Sequence, residues 1–165
     1  MTGFVTAPLA REHDRAAFSS GVDVLDGYLR ELAFQDIKRR VAGCFVALDD
    51  AGAIAGYYTL AATHVPLNSL PADITRKLPR YPVVPAMLIG RLAVATKYQK
   101  QGLGRALIAD AAVRTDGFKI GAFALVVDAK DERSVSFYQS TGFTLFPDET
   151  RRLFQPMETA LRSKQ

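Results

Sequence analysis

At 165 residues the chain is long enough for one domain with a sizeable core and too short for two ordinary ones. Its 48% hydrophobic and 23% charged residues suit a globular protein, and no apolar segment nears the roughly 20 residues a membrane helix needs. A net charge of +4 and a pI near 9.3 favour an anionic partner, whether nucleic acid, nucleotide cofactor or acidic protein.

The opening residues, MTGFVTAPLAREHD, lack a basic start followed by an apolar stretch, so no secretory signal is read and a cytoplasmic location is expected. Arg11–Ser19 reads as a short helix closed by Ser19-Ser20-Gly21. Val22–Val41 carries a longer helical pattern, with Asp23 as N-cap and an apolar stripe of Leu25, Tyr28, Leu29, Leu32, Ala33 and Ile37. Arg30, Lys38, Arg39 and Arg40 fall mostly off that stripe. The Lys38–Arg40 run is accounted for equally well by the helix dipole and by nucleic-acid contact.

Cys44–Leu48 and Ile54–Ala61 are β-rich runs around the turn composition Asp49-Asp50-Ala51-Gly52, hence a hairpin, with Gly56–Leu60 as central-strand material. Cys44, the only cysteine, excludes an intrachain disulfide and a thiolate zinc cluster, and its apolar setting makes it a core residue. His13 and His64 lie too far apart, with too few spaced carboxylates, to suggest a metal site, and both read as surface or loop residues. His64–Ala86 is a long connection with five prolines and a short helix near Ala72–Lys77. Arg76, Lys77 and Arg80 give it positive charge, and loops of this length often form lids or binding surfaces.

Met87–Val94, bounded by Pro85, suits a buried strand interrupted only by Gly90-Arg91. A helix follows from Leu103 to about Arg114, with Leu103, Ala106, Leu107, Ala111 and Val113 on its apolar face. Between them, Gln99-Lys100-Gln101-Gly102-Leu103-Gly104 has glycines that let backbone amides turn inward at a helix N-terminus, a place that attracts phosphate. Ala122–Val127 reads as a strand, Asp131 caps a helix over Glu132–Thr141 that ends at Gly142, and Phe143–Phe146 pairs with Arg152–Met157. Leu161–Gln165 is expected to fray.

Three segments of this order carry a resemblance: Gly90-Arg-Leu-Ala-Val94, Gln99-Lys-Gln-Gly-Leu-Gly104 and Phe137-Tyr-Gln-Ser-Thr-Gly-Phe143. On them the chain resembles the GNAT acetyltransferase superfamily, whereas a nucleotide-binding P-loop would need a Gly-Lys-Ser/Thr ending that is absent. It is similar in particular to the GNAT-type toxins of bacterial toxin-antitoxin pairs. The likeness covers nearly the whole chain, through Ser20–Leu29, Gly56–Leu60, Leu78–Ala86 and Leu88–Val94. Ala95, where an acidic residue is common, and Ser20, where cysteine is frequent, depart from that pattern.

The resemblance implies an α/β (α+β) fold: a single GNAT-like domain over residues 1–165, with a mixed, mostly antiparallel central sheet flanked by helices and a splayed parallel strand pair holding acetyl-CoA. It also implies an acetyl-CoA-dependent N-acetyltransferase that acts on the α-amino group of aminoacyl-tRNA and stops translation. A ribbon-helix-helix antitoxin and a homodimer follow from the same likeness, with acetyl-CoA as co-substrate and no metal.

In that frame Lys100, Gln101, Gly102, Leu103, Gly104 and Arg105, with Gln99, hold the CoA pyrophosphate, and Leu92, Ala93 and Val94 give backbone groups to the pantetheine arm and the thioester oxygen. Tyr138 is the general acid for the departing thiolate, since an unperturbed phenol near pKa 10 keeps its proton at neutral pH. No general base stands out. A peptide-type α-amine, with pKa near 8, is partly neutral at pH 7 without one, which favours it over a lysine amine near 10.4. Arg91, Arg76, Lys77, Arg80, Lys38, Arg39 and Arg40 are the electrostatic footprint for RNA. Two readings compete: a GNAT enzyme acting on a small amine or a protein N-terminus, and a module that binds acetyl-CoA without turning it over.

Overall fold

A computed structural model describes residues 3–162. Its strands form one seven-stranded sheet in the order β1-β2-β3-β4-β5-β7-β6, and by its packing the chain divides into two compact units. The first comprises Met1–Ala61 with Gly90–Ala111, the second Ala62–Ile89 with Ala112–Gln165. The expected mixed, mostly antiparallel sheet is therefore present, with β4 and β5 as its parallel pair.

In the first unit, β1 (Val5–Pro8) runs antiparallel to β2 (Gly43–Leu48), and β2 to β3 (Ile54–Pro66). The β2–β3 hairpin turns where expected, with the Asp49 carboxylate accepting from the Ala51 and Ala53 amides. β1 has no counterpart in the sequence reading. Arg11–Ser19, expected as a helix, is a run of turns: the Ala10 amide donates to His13 Nδ1 and the Ala17 amide to the Asp14 carboxylate. Such local side-chain bonds compete with the helical ladder.

The helical pattern of Val22–Val41 resolves into α1 (Asp23–Gly27), a π-helical turn (Tyr28–Leu32) and α2 (Ala33–Lys38). The extra residue of the π turn shifts the stripe, so Leu32 is 47% exposed although Leu29 and Ala33 are fully buried. Asp23 is not the cap. Val22 occupies that position with no side-chain bond of its own, and the start is braced by Asp26, whose carboxylate accepts from the Ser20 amide and hydroxyl. Leu9, Phe18, Tyr28, Leu29, Cys44, Val46, Tyr57 and Ala93 form this unit's core.

The second unit holds the far half of β3, α3 (Ala72–Thr75), the start of β4 (Val83–Val94), β5 (Ala124–Asp128), α5 (Glu132–Ser140), β6 (Thr144–Leu145), β7 (Arg152–Pro156) and α6 (Met157–Arg162). β4 begins earlier than expected and runs through Pro85, whose carbonyl still accepts from the Phe123 amide. Its register with β5 runs from Ala86↔Ala124 to Ile89↔Val127 and stops there, while β4 itself continues to Val94. β5 and β6 pair antiparallel with β7.

Asp131 caps α5 as expected, accepting from the Ser134 amide at 2.8 Å, and Gly142 follows the helix with φ +102°. Met157, read as a strand end, and Leu161 and Arg162, expected to fray, belong to the helix Met157–Arg162. Residues 163–165 of the expected frayed segment lie outside the described residues. Val65, Leu70, Val84, Ala124, Val126, Phe146 and Phe154 make up this unit's core.

Candidate active site

The loop between β4 and α4 (Leu103–Gly117) has the backbone its glycines suggested. Gly102 adopts φ +87° and Lys100 φ +63°, and the first helical bond of α4 runs from the Ala106 amide to the Gly102 carbonyl. The amides of Leu103 and Gly104 precede that bond, so they have no intrahelical acceptor and open toward the helix end. Leu103 itself is buried and can offer a ligand only its amide.

The two glutamines serve the loop itself. Gln99 Nε2 donates to the carbonyls of Ser20 and Val94, both at 2.9 Å, and Gln101 Nε2 donates to the Lys97 carbonyl at 3.1 Å. Their side chains thus stiffen the turn, and what they present to an anion is backbone. Lys100 and Arg105 are exposed beside it. A rigid turn with exposed lysine and amides at a helix N-terminus fits a pyrophosphate. α4 is longer than expected, and Val113 is 50% exposed; the buried face is Leu103, Leu107, Ile108, Ala111, Ala112 and Thr115.

β4 reaches this loop through a local irregularity. The Arg91 amide donates at 3.0 Å to the hydroxyl of Thr59, a buried side chain of β3, and a Cβ at Gly90 would stand 3.1 Å from the same oxygen. The Arg91 guanidinium lies 3.7 Å from the Tyr28 ring centroid, a cation–π contact, and Tyr28 donates its phenolic hydrogen to Asp36 at 2.8 Å. Burial, then the Asp36 bond, raises the Tyr28 pKa. Arg91 is therefore held half-buried on an aromatic face. Ala93 is buried, and Leu92 and Val94 are half-buried.

Lys38, Arg39 and Arg40 are exposed at the end of α2, in the first unit. Arg76, Lys77 and Arg80 are exposed after α3, in the second. The cations expected to form one footprint therefore belong to two units. Sequence reasoning missed Arg11 and Arg15, whose guanidinium carbons lie 4.4 and 4.7 Å from the Phe34 ring centroid. The only sequence signal was their four-residue spacing.

Tyr138 sits on α5 at 9% exposure, edge-on to Phe137 (5.3 Å) and Phe143 (5.5 Å), and no hydrogen bond to its phenol is found among the described residues. Desolvation pushes its pKa up to about 12. Burial likewise pushes the Cys44 thiol up to about 12, against the opposing pull of Arg91, so this cysteine is a core residue and not a nucleophile. His13 is half-buried in its turn, and His64 is exposed on β3 rather than on a loop. Among the described residues no group of three or more His, Cys, Asp or Glu side chains could hold a metal ion.

A glycine-bearing loop that leads from β4 into the N-terminus of α4 suits the pyrophosphate of a CoA thioester, and the class of protein is an acyltransferase that draws on one. The chain belongs to the GNAT acetyltransferase family: residues 40–145 match its acetyltransferase (GNAT) domain. It is 34% identical over 164 residues to the tRNA-acetylating toxin of Mycobacterium tuberculosis (strain ATCC 25618 / H37Rv), covering 97% of this chain and 96% of that protein. Among solved structures, the crystal structure of a tyrosine-to-phenylalanine mutant of KacT has a TM-score of 0.88 at 25% identity, covering 98% of this chain and 99% of that one. AtaT complexed with acetyl-methionyl-tRNAfMet gives a TM-score of 0.87, also at 25% identity and with the same coverage.

Proposed function

We propose that the chain is an acetyl-CoA-dependent N-acetyltransferase that acetylates the α-amino group of aminoacyl-tRNA and so blocks translation. The observation that carries this reading is the 34% identity to a tRNA-acetylating toxin in an alignment covering 97% of the chain, since the cradle alone is compatible with many amine acceptors.

Acetyl-CoA supplies an acetyl group activated as a thioester. The amides of Leu103 and Gly104, with the backbone of Gln99–Gly102 and the charges of Lys100 and Arg105, hold its pyrophosphate. The β4 backbone at Leu92, Ala93 and Val94, beyond the last pair with β5, takes the pantetheine arm as an added strand and gives an amide to the thioester oxygen. As the amine nitrogen bonds the carbonyl carbon and the C–S bond breaks, Tyr138 passes its phenolic proton to sulfur. The nitrogen gives up its own proton to water, and water reprotonates the phenol. A pKa near 12 makes Tyr138 a weak acid that is fully protonated at neutral pH, so proton transfer is favoured only as charge builds on sulfur.

Arg91, with Arg76, Lys77 and Arg80, meets the RNA. A ribbon-helix-helix antitoxin, a homodimer and a cytoplasmic location complete the reading. The test is purified protein with labelled acetyl-CoA and a panel of charged tRNAs. Label is expected in the RNA fraction, and mild base should release it as the N-acetyl amino acid, because the ester to the RNA hydrolyses and the new amide does not. Label on small amines alone would refute the tRNA reading.

A further inference from the structure

We propose that Arg11, Arg15, Lys38 and Arg39, gathered around Phe34, form a docking surface for the phosphates of an RNA backbone, separate from the residues that handle the thioester; the proposal rests on the tRNA reading above for its substrate.

The surface is built by the segment that the helical pattern misassigned. Because Arg11–Ser19 folds as turns, it lies against the π turn and α2 and sets two guanidinium groups on one ring: Arg11 at 4.4 Å and Arg15 at 4.7 Å from the Phe34 centroid. A cation–π contact uses the charge of a guanidinium and none of its N–H donors, which stay available to other acceptors. Arg15 is also pinned, donating to the main-chain carbonyls of Arg30 at 2.6 Å and Leu29 at 3.4 Å. Arg11, Phe34, Gln35, Lys38 and Arg39 line an open cavity of about 450 Å³.

Among the described residues none of these four cations forms an ion pair with a carboxylate. The nearest acids in sequence have other tasks or face solvent: Asp14 accepts from the Ala17 amide, Asp36 from Tyr28, and Glu12 is exposed. Two like charges held on one ring, with Lys38 closing α2 and Arg39 just after it, repel one another. An anion with several separated charges relieves that repulsion, and a phosphate chain offers such charges with the oxygen geometry that guanidinium edges match. Phe34 has cations on its ring and does not serve as a stacking platform for a base, so the surface suits backbone contact without sequence readout.

The test uses the full chain with the triple variant Arg11→Gln/Lys38→Gln/Arg39→Gln, leaving Arg15 to hold the π turn. Binding of uncharged tRNA is measured across a salt series, because each neutralised phosphate contributes about −0.9 to the slope of log K against log salt on a duplex. The slope is expected to flatten by about two to three, and KM for charged tRNA to rise at least about tenfold in moderate salt, the effect falling on KM rather than kcat. The charge-conserving variant Arg11→Lys/Lys38→Arg/Arg39→Lys should keep most of the slope, which separates lost charge from lost folding. An unchanged slope in the Gln variant overturns the proposal. So does a variant that loses polyglutamate binding while keeping its tRNA slope, an outcome that would assign the surface to an acidic peptide. If the unsubstituted protein acetylates no charged tRNA yet the slope flattens as stated, the choice of acceptor is wrong and the RNA surface stands.

Discussion

Gly56→Ala tests whether the first turn of α4 is the cofactor cradle. Gly56 is buried in β3 opposite Ala47, and a Cβ there would meet the Ala93 carbonyl oxygen at 3.0 Å, Leu107 Cδ1 at 3.1 Å and Leu103 Cδ2 at 3.4 Å. The leucine methyls can rotate in part, but the carbonyl is β4 backbone, so relief requires β4 to shift at Ala93 and α4 to lift at Leu103 and Leu107, each by a few tenths of an ångström. Overpacking of this kind costs about 1–3 kcal/mol, and in a chain of this size each kcal/mol lowers Tm by roughly 2–4 °C.

The same lift moves the amides of Leu103 and Gly104. Losing about 1.4 kcal/mol of their contact with a charged acceptor weakens acetyl-CoA binding about tenfold, a loss measurable by calorimetric titration. Gly142→Ala is the control: its φ of +102° and the closeness of Gln155 Nε2 strain the second unit, whereas Leu103 and Gly104 belong to the first. The reasoning is refuted if Gly56→Ala loses stability but binds acetyl-CoA normally, or if Gly142→Ala weakens that binding equally.

Tyr138→Phe should lower kcat by about 10²–10⁴ while leaving Tm nearly unchanged, because the ring contacts with Phe137 and Phe143 survive; steady-state rates beside a thermal melt decide it. With its folded pKa raised to about 12 from 10, the phenol contributes stability that is complete below pH 10 and lost as pH rises toward 12. Denaturant titrations at pH 9 and 11.5 should therefore show a steeper alkaline loss in the unsubstituted protein than in Tyr138→Phe. Asp26→Ala strands the buried amide and hydroxyl of Ser20 and should cost about 3 kcal/mol in urea unfolding; a loss under 1 would mean that water replaces the carboxylate. The buried Thr115 hydroxyl has no partner among the described residues, so Thr115→Val should raise Tm by roughly 2–4 °C.

Much of the sheet is legible in the sequence because Cys44–Leu48, Gly56–Leu60 and Ala124–Val127 are apolar or β-branched between polar turns, and Asp131 announces α5 because its carboxylate meets an orphan amide three residues on. β1 is not legible: Val-Thr-Ala-Pro is short, exposed at both ends and becomes a strand only by pairing with β2. The π turn is equally hidden, since it answers to tertiary demands on Tyr28, which must lie under Arg91 and bond Asp36. At the site, glycine spacing reveals the cradle. The brace does not show, because Gln99 reaches Ser20 from 79 positions away, and neither does the Arg11–Phe34–Arg15 stack, whose parts meet only in the folded chain.

Cys44 has a practical corollary. It is the only cysteine of the chain, 3% exposed, and its thiol holds its proton up to about pH 12. Maleimides react with accessible thiolates, so the native protein should be silent toward them at neutral pH. A single cysteine placed at exposed Glu31 or Asp73, one in each unit, could then be labelled alone, without first building a cysteine-free background. A fluorophore at either position would report the approach of RNA to each unit separately.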